Sequence, residues 1–261
     1  MNAGTFEGDI DEIKFVKFFN SNKQSFASYI HSFNLVDNFW MIRVTTKQLS
    51  KLSNQKVFTR ADAYLIETKQ DLSNLVTEND GYLDETILSQ NNVTFSFVPF
   101  SGVSVKMTSS SNYQILKTGP HSFCELFGSY ELGAGASLFC MREEELPKNE
   151  ELLVGWKTST TSMCLFFKNI TNGDSLFYLN QEVCKEIKNY SCKTIESMIN
   201  NSKELQEKIF NGKDLYEEPY TAWYFYHGSN LEKLTIIPFS VTTGSGRSHG
   251  DYTIVLKPIC R

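Results

Sequence analysis

The chain has 261 residues, of which 41% are hydrophobic and 21% are charged. This balance is typical of a globular protein with a substantial core, and it excludes disordered or collagen-like chains. The formal net charge of −5 argues against a nucleic-acid-binding protein that is held by phosphate contacts. The 20 Phe, 12 Tyr and 3 Trp make 13% of the chain aromatic, more than one ordinary core needs.

The N-terminal residues do not have the pattern expected of a secretion signal. Acidic residues come first, among them Glu7, Asp9 and Glu12, and no long apolar run follows them. No stretch anywhere approaches the 18 apolar residues of a membrane-spanning helix. We therefore expect a cytoplasmic protein.

Residues 10–33 carry a helical pattern of apolar side chains. Phe15 and Phe18 widen the apolar face beyond a single stripe, so a helix here has to be buried on more than one side. Burial against another molecule is one interpretation, and an ordinary core helix is the other. On the first interpretation residues 1–33 are an arm whose assembly interface consists of Ile10, Ile13, Phe15, Val16, Phe18 and Phe19.

From residue 38 onward, short segments rich in aromatic and β-branched residues predict strands. They recur about every ten residues, with turn signals between them, which favours an antiparallel sandwich or barrel. The predicted strands are 39–45, 56–59, 93–98, 103–107, 137–142, 152–157, 163–167, 175–179, 222–227, 234–241 and 251–256.

Residues 181–210 form the second predicted helical region, which Asn200-Asn201-Ser202 divides into two helices. No linker separates two halves of the chain. The predicted fold is thus a single β-rich α+β domain over 1–261. It has a helical arm at 1–33 and an antiparallel β-sandwich core over 38–261, with a helical insertion at 181–210.

The sequence indicates no enzyme, and we expect neither a metal nor a cofactor. The four His are far apart, and no H-x-x-x-H, H-E-x-x-H or C-x-x-C spacing occurs. One loop offers backbone N–H groups, hydroxyls and a cation to a phosphate or another anion, although a flexible hairpin loop is the favoured interpretation. The loop residues concerned are Gly244, Ser245, Gly246, Arg247 and His249.

The six Cys are spread over the second half of the chain, unlike those of a small disulfide scaffold. We expect reduced, buried thiols, with Cys260 as a candidate for an intermolecular bridge. The aromatic segment 220–226 has three interpretations: a carbohydrate- or membrane-binding surface, a protein contact, or a buried central strand.

The order of these features resembles that of cypovirus polyhedrins, which crystallise inside infected insect cells and encase virions. Two short stretches carry the likeness. Residues 93–107, which read Val-Thr-Phe-Ser-Phe-Val-Pro-Phe-Ser-Gly-Val-Ser-Val-Lys-Met, are similar to a paired strand of the core in that family. Residues 145–155, which read Glu-Leu-Pro-Lys-Asn-Glu-Glu-Leu-Leu-Val-Gly, are similar to a later turn and strand.

This resemblance implies a structural protein that assembles with itself, as trimers in a crystalline lattice. The assemblies would be occlusion bodies in the host cytoplasm that enclose virus particles, without nucleic-acid or membrane partners. The helical insertion at 181–210 departs from the family, and no functional residue is carried over from it.

A second resemblance is to β-sandwich proteins of the actinoporin type, which are pore-forming toxins or lectins. The aromatic segment 220–226 and the stretch 248–256 carry it, and residues 10–33 could act as the membrane-inserting helix. These toxins are mostly secreted, whereas this chain shows no signal. Crystals in expressing cells would support the polyhedrin hypothesis, and lysis would support the second.

Overall fold

The computed structural model describes residues 3–35, 38–46, 59–106, 114–243 and 252–259. They form two compact units, of which unit 1 comprises Met1–Ser110 with Glu207–Ile236, and unit 2 comprises Ser111–Gln206 with Ile237–Arg261. The predicted β-rich sandwich is wrong, because the structure is mixed α/β, 48% helical and 17% strand, with two small sheets. The expectation of a single domain stays a prediction.

Unit 1 is a sheet with helices on both faces. Its strands pair in the order β1-β2-β4-β6-β7, and β3 pairs with β2. All pairs are antiparallel except β4 with β6, in which Val103 lies opposite Tyr224. The strands are β1 Phe39–Arg43, β2 Ala63–Glu67, β3 Ser96–Phe97, β4 Val103–Lys106, β6 Tyr224–His227 and β7 Asn230–Lys233. The helices are α1 Ala3–Ser21, α2 Ala27–His31, α3 Ser73–Glu78 and α4 Glu85–Gln90, with a 3-10 turn Lys23–Phe26 and a π-helical turn Glu207–Asn211.

The alternation of side chains along β1 and β2 buries both faces of this sheet. Met41 and Leu65 face α1 and α2, where they join the cluster that contains Phe15 and Phe19. Ile42 and Ile66 face the opposite way and pack with residues of α3 and α4, such as Val76. The N-terminal helical region is therefore a layer of unit 1 itself.

Asn20 fastens α1 to the sheet. Its side-chain amide donates to the carbonyl oxygens of Met41 and Gly81 and accepts from the Met41 N–H, at 2.8–2.9 Å. Asn20 is buried, so these bonds satisfy backbone groups that water cannot reach.

Unit 2 is mostly helical, with a small antiparallel sheet in the order β5-β9-β8. Its strands are β5 Leu116–Thr118, β8 Phe239–Thr243 and β9 Ile254–Pro258. Its helices are α5 Pro120–Phe127, α6 Tyr130–Ser137, α7 Lys148–Gly155, α8 Thr160–Phe166, α9 Lys168–Thr171, α10 Gln181–Asn201 and α11 Lys203–Gln206, with 3-10 turns Glu143–Glu145 and Phe177–Leu179.

Close packing around the glycines of α6 organises unit 2. A Cβ atom on Gly133 would lie 2.2 Å from Cζ3 of Trp156, and one on Gly135 would lie 2.4 Å from Oγ of Ser191 in α10. Such distances are impossible for real atoms, so the glycines are what allow the indole and α10 to approach α6. Trp156 is fully buried.

Four predicted strands, 137–142, 152–157, 163–167 and 175–179, are wrong. They correspond to the end of α6 and the chain after it, to α7, to α8 and to a 3-10 turn. A short apolar segment suits a strand and a buried helix equally, and a side-chain cap favours the helix at α8. Ser159 accepts a hydrogen bond from the Ser162 N–H at the start of α8.

The helical predictions and several strands are confirmed. The region 10–33 is helical, and the helix break at Asn200-Asn201-Ser202 falls between α10 and α11. Strands occur within or overlapping 39–45, 93–98, 103–107, 222–227, 234–241 and 251–256. Of the predicted strand 56–59, residues 56–58 lie outside the described residues.

Candidate functional site

The six residues of the predicted assembly interface divide into two groups. Phe15, Val16 and Phe19 are buried in the core of unit 1, so they are not available to a second molecule. Phe18 is 42% exposed, and Ile10 and Ile13 are partly exposed. For these last three, contact with another copy stays a prediction.

The predicted anion-binding loop, with Gly244, Ser245, Gly246, Arg247 and His249, lies outside the described residues. In the sequence, residues 246–250 match the G-x-S-x-G pattern of a hydrolase nucleophile. That pattern acts on a turn from a strand into a helix. The nearest described elements before and after it are β8 and β9, two antiparallel strands.

The residues of the aromatic segment 220–226 lie in several different environments. Tyr224 and Tyr226 on β6 pack against the core cluster beneath α1 and α2. Tyr220 packs against the other cluster, next to Tyr64. Trp223 is half-buried and faces Phe100, with their ring centroids 5.2 Å apart and their planes nearly perpendicular.

Trp223 and Phe100 form one side of a cleft of about 600 Å³ in unit 1, which we call the aromatic groove. Tyr29, Phe33 and Tyr224 contact one another edge to face and line the other side. The complete lining is Ser28, Tyr29, Ser32, Phe33, Pro99, Phe100, Trp223, Tyr224 and Lys233. A cleft of this size with aromatic walls is typical of a ligand site.

Glu218 binds two of the residues that line the aromatic groove, Trp223 and Phe100. Its carboxylate accepts hydrogen bonds from the Trp223 indole N–H at 2.7 Å, from the Thr221 hydroxyl, and from the Phe100 backbone N–H at 3.3 Å. One acidic side chain thus fixes both the indole and the loop that carries Phe100. Sequence reasoning singled out Trp223 within an aromatic segment, but it did not find Glu218 or Phe100.

Phe100 adopts an unfavourable backbone conformation. Its φ is +61°, in the left-handed region that residues with a side chain rarely occupy. Its ring is nevertheless 57% exposed, so burial does not compensate for the conformation. Strain of this kind at an exposed aromatic residue suggests a functional requirement.

A second cleft of unit 1, of about 510 Å³, is polar, and we call it the polar cleft. Arg43 on β1 forms ion pairs with Asp9 at 2.6 Å and Glu12 at 2.7 Å, both on α1. Asp62 also lines the cleft, where it accepts from the Val105 N–H. The arrangement ties α1 to the sheet by charge as well as by apolar packing.

The carboxylates of the polar cleft influence one another. Burial, together with repulsion from Asp62 and Asp9, raises the pKa of Glu12 to about 7, although Arg43 opposes this. Burial opposes the charge of Arg43, but attraction to Glu12 and hydrogen bonds to Glu12 and Tyr82 outweigh it and raise the pKa of Arg43. Glu12 is therefore a group that can exchange a proton near neutral pH.

Two described cysteines, Cys184 and Cys192, are not activated nucleophiles. Burial raises the pKa of Cys184 to about 12 and that of Cys192 to about 11, so their thiols stay protonated at neutral pH. Cys124, Cys140, Cys164, Cys184 and Cys192 form no disulfide in the part of the chain that the structure describes. Cys260 lies outside it.

An exposed apolar surface lies around α8 in unit 2. Leu165 is 75% exposed, and Phe166, Leu176 and Tyr190 are also exposed. Phe167 links them, with its ring 4.8 Å from that of Phe166 and 6.0 Å from that of Tyr190. Cys164 donates to the Asp174 carbonyl, which brings the chain before Leu176 beside α8. We call Leu165, Phe166, Leu176 and Tyr190 the α8 patch.

Two further properties concern the described residues only. They contain no group of three or more His, Cys, Asp or Glu side chains that could hold a metal ion. No helix within them has the length and apolar character that crossing a membrane demands.

Comparison of the chain with models of protein families, with curated proteins and with solved structures finds no match. The resemblance to polyhedrins therefore stays a prediction.

Proposed function

We propose that the protein is a structural protein that assembles with further copies of itself and acts without catalysis. The α8 patch is the observation that carries this proposal. Four large apolar side chains that are exposed on and around one short helix are typical of a protein–protein contact surface, whereas isolated ones are not. The aromatic excess of the sequence is consistent with such contacts.

In this proposal the assemblies are intracellular occlusion bodies in the host cytoplasm that enclose virus particles, as the resemblance to polyhedrins implies. Neither nucleic acid nor a membrane is a partner. The structure gives this proposal less support than the sequence did. The described residues do not form the β-sandwich core that both resemblances imply, and half of the predicted interface on α1 is buried inside unit 1. Phe18, Ile10 and Ile13 remain available as additional contacts.

The pore-forming alternative has less support. A membrane-inserting helix would have to take Phe15, Val16 and Phe19 out of the core of unit 1. Removing each such side chain from the core would cost about 1.5–3 kcal/mol. Release of dye from lipid vesicles by the purified protein would support this alternative.

The proposal is tested by light scattering on the eluting protein after size exclusion, and by electron microscopy of expressing cells. We expect oligomers in solution and ordered particles in cells. Leu165→Glu should reduce both, because it places a charge within the contact. Met141→Glu is the matched control, since Met141 is equally exposed in unit 2 but lies outside the α8 patch. A wild-type monomer at every soluble concentration, without particles in cells, would contradict the proposal.

A further inference from the structure

We propose that the aromatic groove binds a small ligand that combines a flat apolar body with a carboxylate group. This inference does not depend on self-assembly, because the aromatic groove belongs to unit 1 and the α8 patch to unit 2. It follows from the walls of the cleft, from its charge and from the way in which Phe100 is held.

The rings of Trp223 and Tyr29 favour an apolar ligand because their own polar atoms are already used. The indole N–H of Trp223 donates to Glu218, and the hydroxyl of Tyr29 donates to the Ser101 carbonyl. What these rings offer to the cleft is their carbon surface. A flat apolar body can pack against such faces and edges, and each aromatic contact contributes beyond the area that it buries.

Lys233 supplies the charge selectivity. It lies opposite Tyr224 in the register of β6 and β7, and it is exposed. It is the only charged residue in the lining. It makes no ion pair with the other residues that the structure describes. The single positive charge of an ammonium group balances one carboxylate but not a doubly charged phosphate. The hydroxyl of Ser28, at the same cleft, can donate a further hydrogen bond.

The geometry of the cleft is also fixed before a ligand binds. Glu218 fixes Trp223 and the backbone of Phe100, and Phe100 keeps its strained φ of +61° with its ring in solvent. Because this geometry exists before binding, a ligand does not have to order it. The volume of about 600 Å³ fits a compact organic acid and exceeds the needs of an inorganic anion.

The experiment uses the full chain, with 3-phenylpropionate as the probe. Binding is measured by the fluorescence of Trp223 and by isothermal calorimetry. The neutral 3-phenylpropionamide, the cationic 3-phenylpropylamine and methyl glucoside are the comparison ligands. We expect saturable binding of the carboxylate, about fivefold weaker binding of the amide, and no binding of the amine or the sugar.

Variants separate the two parts of the ligand. Lys233→Gln should weaken binding of the carboxylate about fivefold and leave the amide unchanged, because it removes only the charge contact. Lys14→Gln, the same change at an exposed lysine of α1 outside the lining, should change nothing. Phe100→Ala should weaken both ligands by a similar factor, and calorimetry on Trp223→Phe should show binding without the fluorescence signal.

Several results would overturn the proposal. They are the absence of saturable binding, equal binding of the carboxylate and the amide, and full affinity in Lys233→Gln. Binding of methyl glucoside in place of the acid would assign the groove to carbohydrate instead. Lys233 is exposed, so its variant tests the proposal even if Phe100→Ala does not fold. None of these outcomes bears on the oligomeric state, which tests the proposed function separately.

Discussion

Glu218 and Trp223 form a hydrogen-bonded pair, with the indole Nε1 donating to the carboxylate Oε1 over 2.7 Å. The partner of this indole therefore lies five positions earlier in the chain, on the loop before β6. The same carboxylate accepts the Phe100 N–H, so it joins two segments that are distant in sequence. Removal of the Glu218 carboxylate therefore affects both Trp223 and the loop that carries Phe100.

Glu218→Ala should lower the free energy of unfolding by about 1–3 kcal/mol, because the Thr221 hydroxyl and the Phe100 N–H lose their acceptor and the Trp223 indole N–H keeps only the Thr221 oxygen. Glu218→Gln keeps a carbonyl acceptor, so it should cost about 1 kcal/mol. Urea unfolding followed by tryptophan fluorescence measures both. Glu217→Ala, at the exposed neighbouring position, is the control and should stay within about 0.5 kcal/mol of the wild type. Equal stability of all three variants would show that Glu218 does not organise the groove.

Phe100→Gly should be more stable than Phe100→Ala by about 1 kcal/mol. Both variants lose the ring, but only glycine adopts a φ of +61° without strain. Phe97 gives the matched comparison, since it is similarly exposed but lies in the extended strand β3. There the order should reverse, with Phe97→Gly less stable than Phe97→Ala. The same order at both positions would mean that Phe100 is not strained.

Gly133→Ala should destabilise unit 2 by about 2–3 kcal/mol, because the new methyl group meets the buried ring of Trp156. Trp156→Phe removes part of that ring, so the double variant should recover some of the loss. A thermodynamic cycle of the four proteins should give a coupling of about 1 kcal/mol. Gly119→Ala is the control, because its Cβ would meet only the Tyr252 carbonyl oxygen at 3.8 Å. Strict additivity would contradict the predicted clash.

The stability of unit 1 should fall as the pH rises from about 5 to about 7, through Glu12. Its pKa is about 7 in the folded chain and 4.5 without the fold, so the folded state holds the extra proton between these values. The stabilisation is complete below the lower value and is lost as the pH passes the upper one. The difference corresponds to about 3 kcal/mol at most.

The measurement compares urea unfolding of the wild type and Glu12→Gln at pH 5 and pH 7.5. Glutamine cannot titrate but still accepts from Arg43, so the variant should lose this part of the pH dependence. The charged groups around Glu12 are Arg43, Asp9 and Asp62, with Lys106 paired to Asp62 and Tyr82 next to Arg43. An unchanged pH dependence in Glu12→Gln would assign the effect to one of these other groups.

The elements that depend on long sequence patterns could be predicted from the sequence, whereas the elements that depend on contacts between distant residues could not. The 21-residue helix α10 and its break at Ser202 follow from many apolar repeats and a local cap. The segments that become α7 and α8 are too short for a period to distinguish helix from strand. For α8, the N-cap at Ser159 was a local signal that was available. For α7 no such signal existed, because no side chain caps its start.

Only part of the aromatic groove could be predicted from the sequence. A cluster of aromatic residues around Trp223 indicates a surface or a core but not which one, and the structure uses the segment for both. The link between Phe100 and Glu218 had no local signal, since this hydrogen bond spans 118 positions of the chain. The left-handed backbone at Phe100 also has no sequence signature, because that conformation favours glycine.

The parallel pairing of β4 with β6 has a consequence for the chain as it is made. Val103 pairs with Tyr224, and the residues of α5 to α11 are synthesised between them. While a ribosome is still translating that stretch, β4 has one edge unpaired, and Phe15 lacks Tyr226, which contacts its ring in the finished core. Unit 1 therefore cannot complete its fold until after most of unit 2 has emerged. A nascent chain stalled near residue 200 would expose this apolar surface to chaperones.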